Sequence, residues 1–246
     1  HTEKPAMKTT KFLLPLAVLI AVVPAQAVVI TNTDFNYVGA LTNNGWIAYS
    51  GGDGSITSDG SVASVGSGAE DIRLPFADQG SGPTFASFTL NVITMPTTGG
   101  EYSFGLSDAN LMEARFGLTS VSSGANFALT IYGSGSTILG TSSTLNLNTD
   151  YLVVIYGDGN TDQRLWIDPT AALDFGTPTL QTTAAAAAAN IDGFFLRQAG
   201  ALDNGAADWT LGNLTAATTF AEAIPEPSTY AMLALAGAGF AGYVIR

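Results

Sequence analysis

Cysteine is absent from the chain, and the one histidine is His1. Without cysteine there is no disulfide framework and no thiolate chemistry. Without a histidine in the body of the chain, a Ser-His-Asp or Cys-His site lacks its base, and zinc lacks its usual nitrogen and sulfur ligands. Charge is scarce as well: 11% of the 246 residues are charged, and 20 acids outnumber 8 bases. Residues 28–223 hold no lysine; four arginines (Arg73, Arg115, Arg164, Arg197) stand against 18 acids, a net charge of −14. So acidic a stretch is poorly suited to phosphate, which argues against a nucleic-acid partner. No G-x-x-x-x-G-K-[ST] loop occurs, so P-loop phosphate binding is excluded.

What is present begins with two distinctive ends. Residues 1–6 read as a tag remnant or an over-extended reading frame, with Met7 the expected start. Lys8 and Lys11 then form a basic region, residues 12–23 an apolar one, and Ala25-Gln26-Ala27 an A-x-A cleavage site at Ala25 and Ala27. That order is a secretory signal peptide over residues 7–27. At the other end, Pro225-Glu226-Pro227-Ser228-Thr229 precedes an uncharged apolar run over 230–245, closed by Arg246. Two prolines around a glutamate cannot continue a helix. The 16 apolar residues would span about 24 Å as a helix, short of a ~30 Å hydrocarbon core. Rigid hinge, short transmembrane helix and terminal base together read as an address or a transient anchor over 224–246.

Between these ends, residues 28–223 read as one all-β domain. Ala86, Phe88, Leu90 and Val92 alternate with Phe85, Ser87, Thr89 and Asn91, and Phe127, Leu129 and Ile131 alternate with Ala128, Thr130 and Tyr132. Period two marks half-buried strands. Residues 152–156 are apolar on both sides, as in a central strand. Gly-, Pro- and Asn-rich turns at 96–100, 122–124 and 157–160 separate the runs. About a dozen such strands imply an antiparallel sandwich. The Gly/Ser-rich stretch 51–68 carries Ile56, Val62 and Val65 at strand spacing and belongs to the sandwich. The alanine run 184–189 is too short for a stable isolated helix and reads as a loop or edge strand. No stretch of the domain shows helical periodicity.

Candidate chemistry is thin. Four glutamates (Glu70, Glu101, Glu113, Glu222) lie in the domain without an acidic cluster on one strand, so no catalytic residue is assigned. Asp158, Asn160 and Asp162 have calcium-loop spacing, but Gln163 and Pro169 stand where the loop needs glycine and glutamate. No metal site or cofactor is assigned; a structural calcium on carbonyls and scattered aspartates stays open. Trp46, Tyr49, Tyr132, Trp166 and Trp209 are candidate platforms for sugar rings, with core packing as the alternative.

Pro225, Glu226, Pro227 and Ser228, ahead of an apolar segment and a terminal base, resemble the PEP-CTERM sorting signal. The resemblance implies export across the inner membrane, transient anchoring in it through the C-terminal helix, and processing near the motif by an exosortase. The product would be released or attached at the cell surface, where exopolysaccharide is an expected partner. Gly45-Trp46, the 85–92 strand, the 102–108 and 144–149 segments, Leu165-Trp166-Ile167-Asp168-Pro169, Phe195-Leu196-Arg197-Gln198 and the 218–221 segment occur in an order similar to concanavalin A-like or LamG-like jelly-roll sandwiches. That fold hosts lectin-like, adhesive and hydrolytic members and does not settle activity; with no histidine base and no acidic cluster in the domain, the expectation is an exported, non-catalytic surface or matrix protein. A carbohydrate-binding, lectin-like module is the alternative, and a jelly-roll glycoside hydrolase a further one.

Overall fold

Period-two segments of the sequence pair with one another in a computed structural model that describes residues 28–51, 54–66, 68, 70–109, 111–133, 137–159, 161–170, 175–183, 190–198 and 207–224. The signal peptide, with Ala25 and Ala27, the 184–189 alanine run, and residues 225–246, with Pro225, Glu226, Pro227, Ser228 and the expected membrane helix, lie outside the described residues. Among the described residues no helix is long and apolar enough to cross a membrane.

Seventeen strands follow in order among the described residues: β1 (Val29–Thr33), β2 (Val38–Ala40), β3 (Ile47–Ser50), β4 (Thr57–Asp59), β5 (Ala63–Val65), β6 (Asp71–Pro75), β7 (Thr84–Thr94), β8 (Gly100–Asp108), β9 (Leu111–Val121), β10 (Asn126–Tyr132), β11 (Ile138–Thr141), β12 (Leu145–Asn146), β13 (Asp150–Gly157), β14 (Gln163–Ile167), β15 (Leu180–Thr182), β16 (Gly193–Arg197) and β17 (Asp208–Ala217). One helix, α1 (Phe220–Ala223), follows them. All strand pairs are antiparallel. Sheet I runs β15-β14-β13-β7-β17-β5-β4-β2, with β1 also beside β17. Sheet II runs β11-β10-β9-β8-β16-β6-β3, with β12 also beside β10. The architecture is the expected jelly-roll sandwich.

The alternation places the core as anticipated. Ala86, Phe88, Leu90 and Val92 of β7 face Phe104, Phe116, Phe127, Leu129 and Phe194 between the sheets, all fully buried. Phe88 meets Phe104 and Phe194 edge-on at 5.0 and 5.6 Å, a favoured aromatic geometry. The 51–68 stretch supplies β4 and β5 to sheet I, with Ile56 and Val65 buried.

The other residues of β7 were expected to meet solvent, and part of that expectation is corrected. Phe85 and Ser87 are buried, because the end of the chain folds back over the outer face of sheet I. Thr219 caps α1 by accepting a hydrogen bond from the Glu222 N–H. Phe220, Ala223 and Ile224 then pack on Phe85, Val154, Tyr156 and Trp166 as a second apolar cluster. The Ser87 hydroxyl donates to the carbonyl of Ala223. This helix is absent from the sequence reading, which found no helical periodicity in the domain.

Candidate functional site

The outer face of sheet II concentrates most of the domain's positive charge. Register sets out a row across five strands: Tyr132 lies opposite Arg115, Arg115 opposite Gly105, Gly105 opposite Phe195, and Phe195 opposite Arg73. Directly opposed residues share a face. Each arginine alternates with core residues on its own strand, Arg73 with Ile72 and Leu74, Arg115 with Ala114 and Phe116. Arg197, two residues beyond Phe195 on β16, points the same way. Three of the four domain arginines therefore meet on one face. The fourth, Arg164, is on the other sheet, held by Asp162 at 2.6 Å.

Glycine lets the row close. A Cβ at Gly105 would fall 2.7 Å from the Phe195 ring and 1.8 Å from the carbonyl oxygen of Ala114. A Cβ at Gly193 would fall 2.7 Å from the Ser107 hydroxyl and 3.4 Å from the Arg73 guanidinium. Ser107 is fully buried there, and its hydroxyl has no hydrogen-bond partner among the described residues.

Tyr102 is the hub of the face. Its ring centre lies 4.1 Å from the guanidinium carbon of Arg197 and 5.2 Å from that of Arg115. Both are within cation–π range. Tyr132 and Phe195 approach the same ring edge-on at 6.2 and 6.4 Å. The cations differ in how well they are neutralised. Arg73 is bound by Asp192 at 2.7 Å. Among the described residues, the ion pair of Arg197 is with Asp71 at 3.7 Å, too long for a hydrogen bond. Arg115 donates from Nε to the carbonyl of Met112 at 2.6 Å and forms no ion pair among the described residues.

Burial disfavours charge on the nearby acids. It pushes the Glu101 carboxyl up to about 7, against the pull of Arg197 and helped by Asp71. It raises Glu113 and Asp71 as well. Tyr49, on the edge strand β3, has its phenol raised by burial, in the combined field of Arg73, Glu113, Arg115 and Asp108.

The expected sugar platforms fare differently. Trp46 and Trp209 are 3% exposed and Trp166 2% exposed, so none offers a ring face to a ligand. This corrects the expectation for all three. Trp46 stacks on Phe35 at 6.3 Å and Trp209 meets Phe104 edge-on at 5.9 Å, both inside the core. Trp166 faces outward from β14 but is roofed by Phe220 at 4.7 Å and Phe175 at 5.9 Å. Tyr132 is 2% exposed as well, so Tyr49 alone of the five is partly exposed at the sheet II face. Arg73, Arg115, Arg197 and Tyr102 are not among the site residues expected from the sequence. Their signal was present: arginines alternating with core residues in a stretch without lysine. The calcium-type spacing at the β13–β14 hairpin is put to other use, since the Asp162 carboxylate holds Arg164 and the Asp162 N–H donates to the Asp158 carboxylate.

A concavity of about 540 Å³ opens on the outer face of sheet I, lined by Asn32, Asp34, Asn36, Thr89, Asn213 and Thr215 among others. Its lining carries no aromatic ring and no cation.

Comparison with solved structures supports the fold. The CBM2 module of the evolved Dit of Lactobacillus casei BL23 phage J-1 is similar over 78% of this chain and 96% of that one, at 15% identity and a TM-score of 0.55. A structure from work on endo-acting O-glycanases, which human gut microbiota express to initiate mucin breakdown, is similar over 78% of this chain and 99% of that one, at 9% identity and a TM-score of 0.51. A search of curated proteins gives no match. Residues 223–246 match the PEP-CTERM protein-sorting motif. The match begins at Ala223, inside the segment docked on sheet I. The chain is thus a jelly-roll sandwich joined to a PEP-CTERM sorting motif, the mark of an exported protein.

Proposed function

We propose that the protein is held briefly in the inner membrane by its last residues, cut at the sorting motif by an exosortase, and left at the cell surface or in the extracellular matrix. There its sandwich associates with exopolysaccharide without catalysis, as a carbohydrate-binding module. The observation that carries this reading is the outer face of sheet II. A sugar offers C–H faces and hydroxyls. The guanidiniums of Arg115 and Arg197, held over the partly exposed Tyr102 ring, answer both with planar faces and fixed hydrogen-bond donors. Similarity of fold to a carbohydrate-binding module adds a weaker argument, because one fold hosts many activities.

Carboxyl placement argues against Glu101 and Glu113 as a glycosidase pair, and an assay for hydrolysis tests the closer pairs, Glu113 with Asp108 and Glu101 with Asp71. Glu101 lies opposite Leu118, five residues along β9 from Glu113, so the two are about 16 Å apart along the strand at ~3.3 Å per residue. Glycosidase pairs work at about 5–9.5 Å. Each carboxyl also responds to other neighbours, Glu101 to Arg197 and Asp71, Glu113 to Arg115 and Asp108.

A glycan array probed with the full chain tests the reading. Saccharide binding that falls at least tenfold in Tyr102→Ala, with the fold intact by circular dichroism, is the expected result. An array without binding overturns the carbohydrate reading. Release of reducing ends that stops in Glu113→Gln replaces it with the hydrolase.

A further inference from the structure

The geometry points to an anionic glycan as the ligand of the sheet II face, its carboxylate or sulfate groups held by Arg115 and Arg197 on either hand of the Tyr102 ring. This rests on the carbohydrate-binding reading and adds the charge of the ligand. Three observations carry it.

The first is placement. In a stretch of net charge −14 with four cations, three share one sheet face. Scattered surface arginines would serve solubility equally well on any face. The second is convergence. The guanidiniums of Arg197 and Arg115 approach one ring to 4.1 and 5.2 Å. Two cations drawn together repel each other, and the ring's quadrupole offsets only part of that. An anion seated beside them, over the ring edge, relieves the remainder. The third is incomplete neutralisation. Arg73 has its counter-ion in Asp192 at 2.7 Å, whereas Arg197 keeps Asp71 at 3.7 Å and Arg115 has no carboxylate partner among the described residues. Both Arg115 and Arg197 are partly exposed, so their forks can reach a ligand. A guanidinium presents paired donors that match a carboxylate or sulfate, a geometry lysine cannot supply.

The remaining charges on this face are named, since they bear on an anion. Among the described residues, Glu113 lies within the field of Arg115 without forming an ion pair to it, with Asp108 near Glu113; Asp71 and Glu101 lie by Arg197, and Asp192 holds Arg73. The overall acidity of the protein excludes indiscriminate attraction of polyanions, so retention of one reports a local site.

Affinity electrophoresis of the full chain tests this, in gels containing polygalacturonate (carboxylate), dextran sulfate (sulfate) or dextran (neutral). Retardation by one or both anionic polymers and none by dextran is the expected result. Arg115→Gln and Arg197→Gln should each raise the apparent Kd at least tenfold. Arg115→Lys should keep part of the affinity, and Arg164→Gln, which removes the same charge from the other sheet, should bind as the parent does. Thermal melts of each variant check folding. Equal losses for Arg164→Gln and Arg115→Gln would overturn the proposal, since net charge and not this site would then set binding. Retardation by dextran alone would overturn the anionic ligand and leave the carbohydrate reading intact. No retardation here, with no binding on a glycan array, would overturn both.

Discussion

The ring of Phe220 lies 4.7 Å from that of Trp166, 54 positions earlier in the chain. This contact makes residues 220–224 part of the sandwich, not the start of a loose tail. Phe220 and Ile224 are 4% and 8% exposed, and the two prolines of the sorting motif stand at 225 and 227. The motif therefore follows the packed body of the domain without an intervening linker, and a cut after it leaves the apolar cluster covered.

Removing that cover should cost stability. Phe220→Ala is expected to destabilise the domain by about 3 kcal/mol, the lower end for a buried phenylalanine because a terminal segment can relax. Trp166 should gain water, and tryptophan emission should shift to the red. Unchanged melting and emission would mean that the segment is not docked.

Glycine at the sheet II face is a steric requirement. Gly105→Ala would place a Cβ 1.8 Å from the carbonyl oxygen of Ala114, and Gly117→Ala one 1.8 Å from that of Glu101. Backbone cannot yield as a side-chain end can, so each should destabilise by about 3 kcal/mol or more. Gly176→Ala, with nothing within 4 Å, serves as the neutral control. Denaturant melts of the three variants give the comparison.

Glu101 should give the domain a pH-dependent weakness. Its folded-state pKa is raised, up to about 7, so its contribution is favourable below the unfolded pKa and is lost as pH rises through about 7. Glu101→Gln should therefore melt about 3 °C above the parent at pH 8 and together with it at pH 4, after discounting for partial exposure. A variant less stable than the parent at pH 8 would show that the Arg197 attraction outweighs burial.

How much of this was legible in the sequence depends on how local each cause is. The strands around Phe88, Leu129 and Val154 follow from alternation or continuous apolarity over a few residues, and the structure has them. The helix at 220–223 also had a local signature. Thr219 and Glu222 have the spacing of a capping box, and Phe220, Ala223 and Ile224 share one helical face. Four residues were too few for periodicity to stand out. Trp166 could not be placed locally, because alternation points it out of the sheet and only a distant segment roofs it. The candidate site is the extreme case. Each arginine's outward direction could be read from its own strand, but their meeting depends on the order β9-β8-β16-β6, fixed by pairings as distant as Asp71 with Arg197, 126 residues apart in sequence.

Sorting gives the most direct measurement. Intact-mass analysis of the protein recovered from a host that carries the processing enzyme reads the mature C-terminus. Processing at the motif predicts a product lacking the apolar run over 230–245 and Arg246, and its accumulation in the uncut form when Glu226 is changed to Gln. A mature protein that keeps every residue through Arg246 in such a host would contradict it.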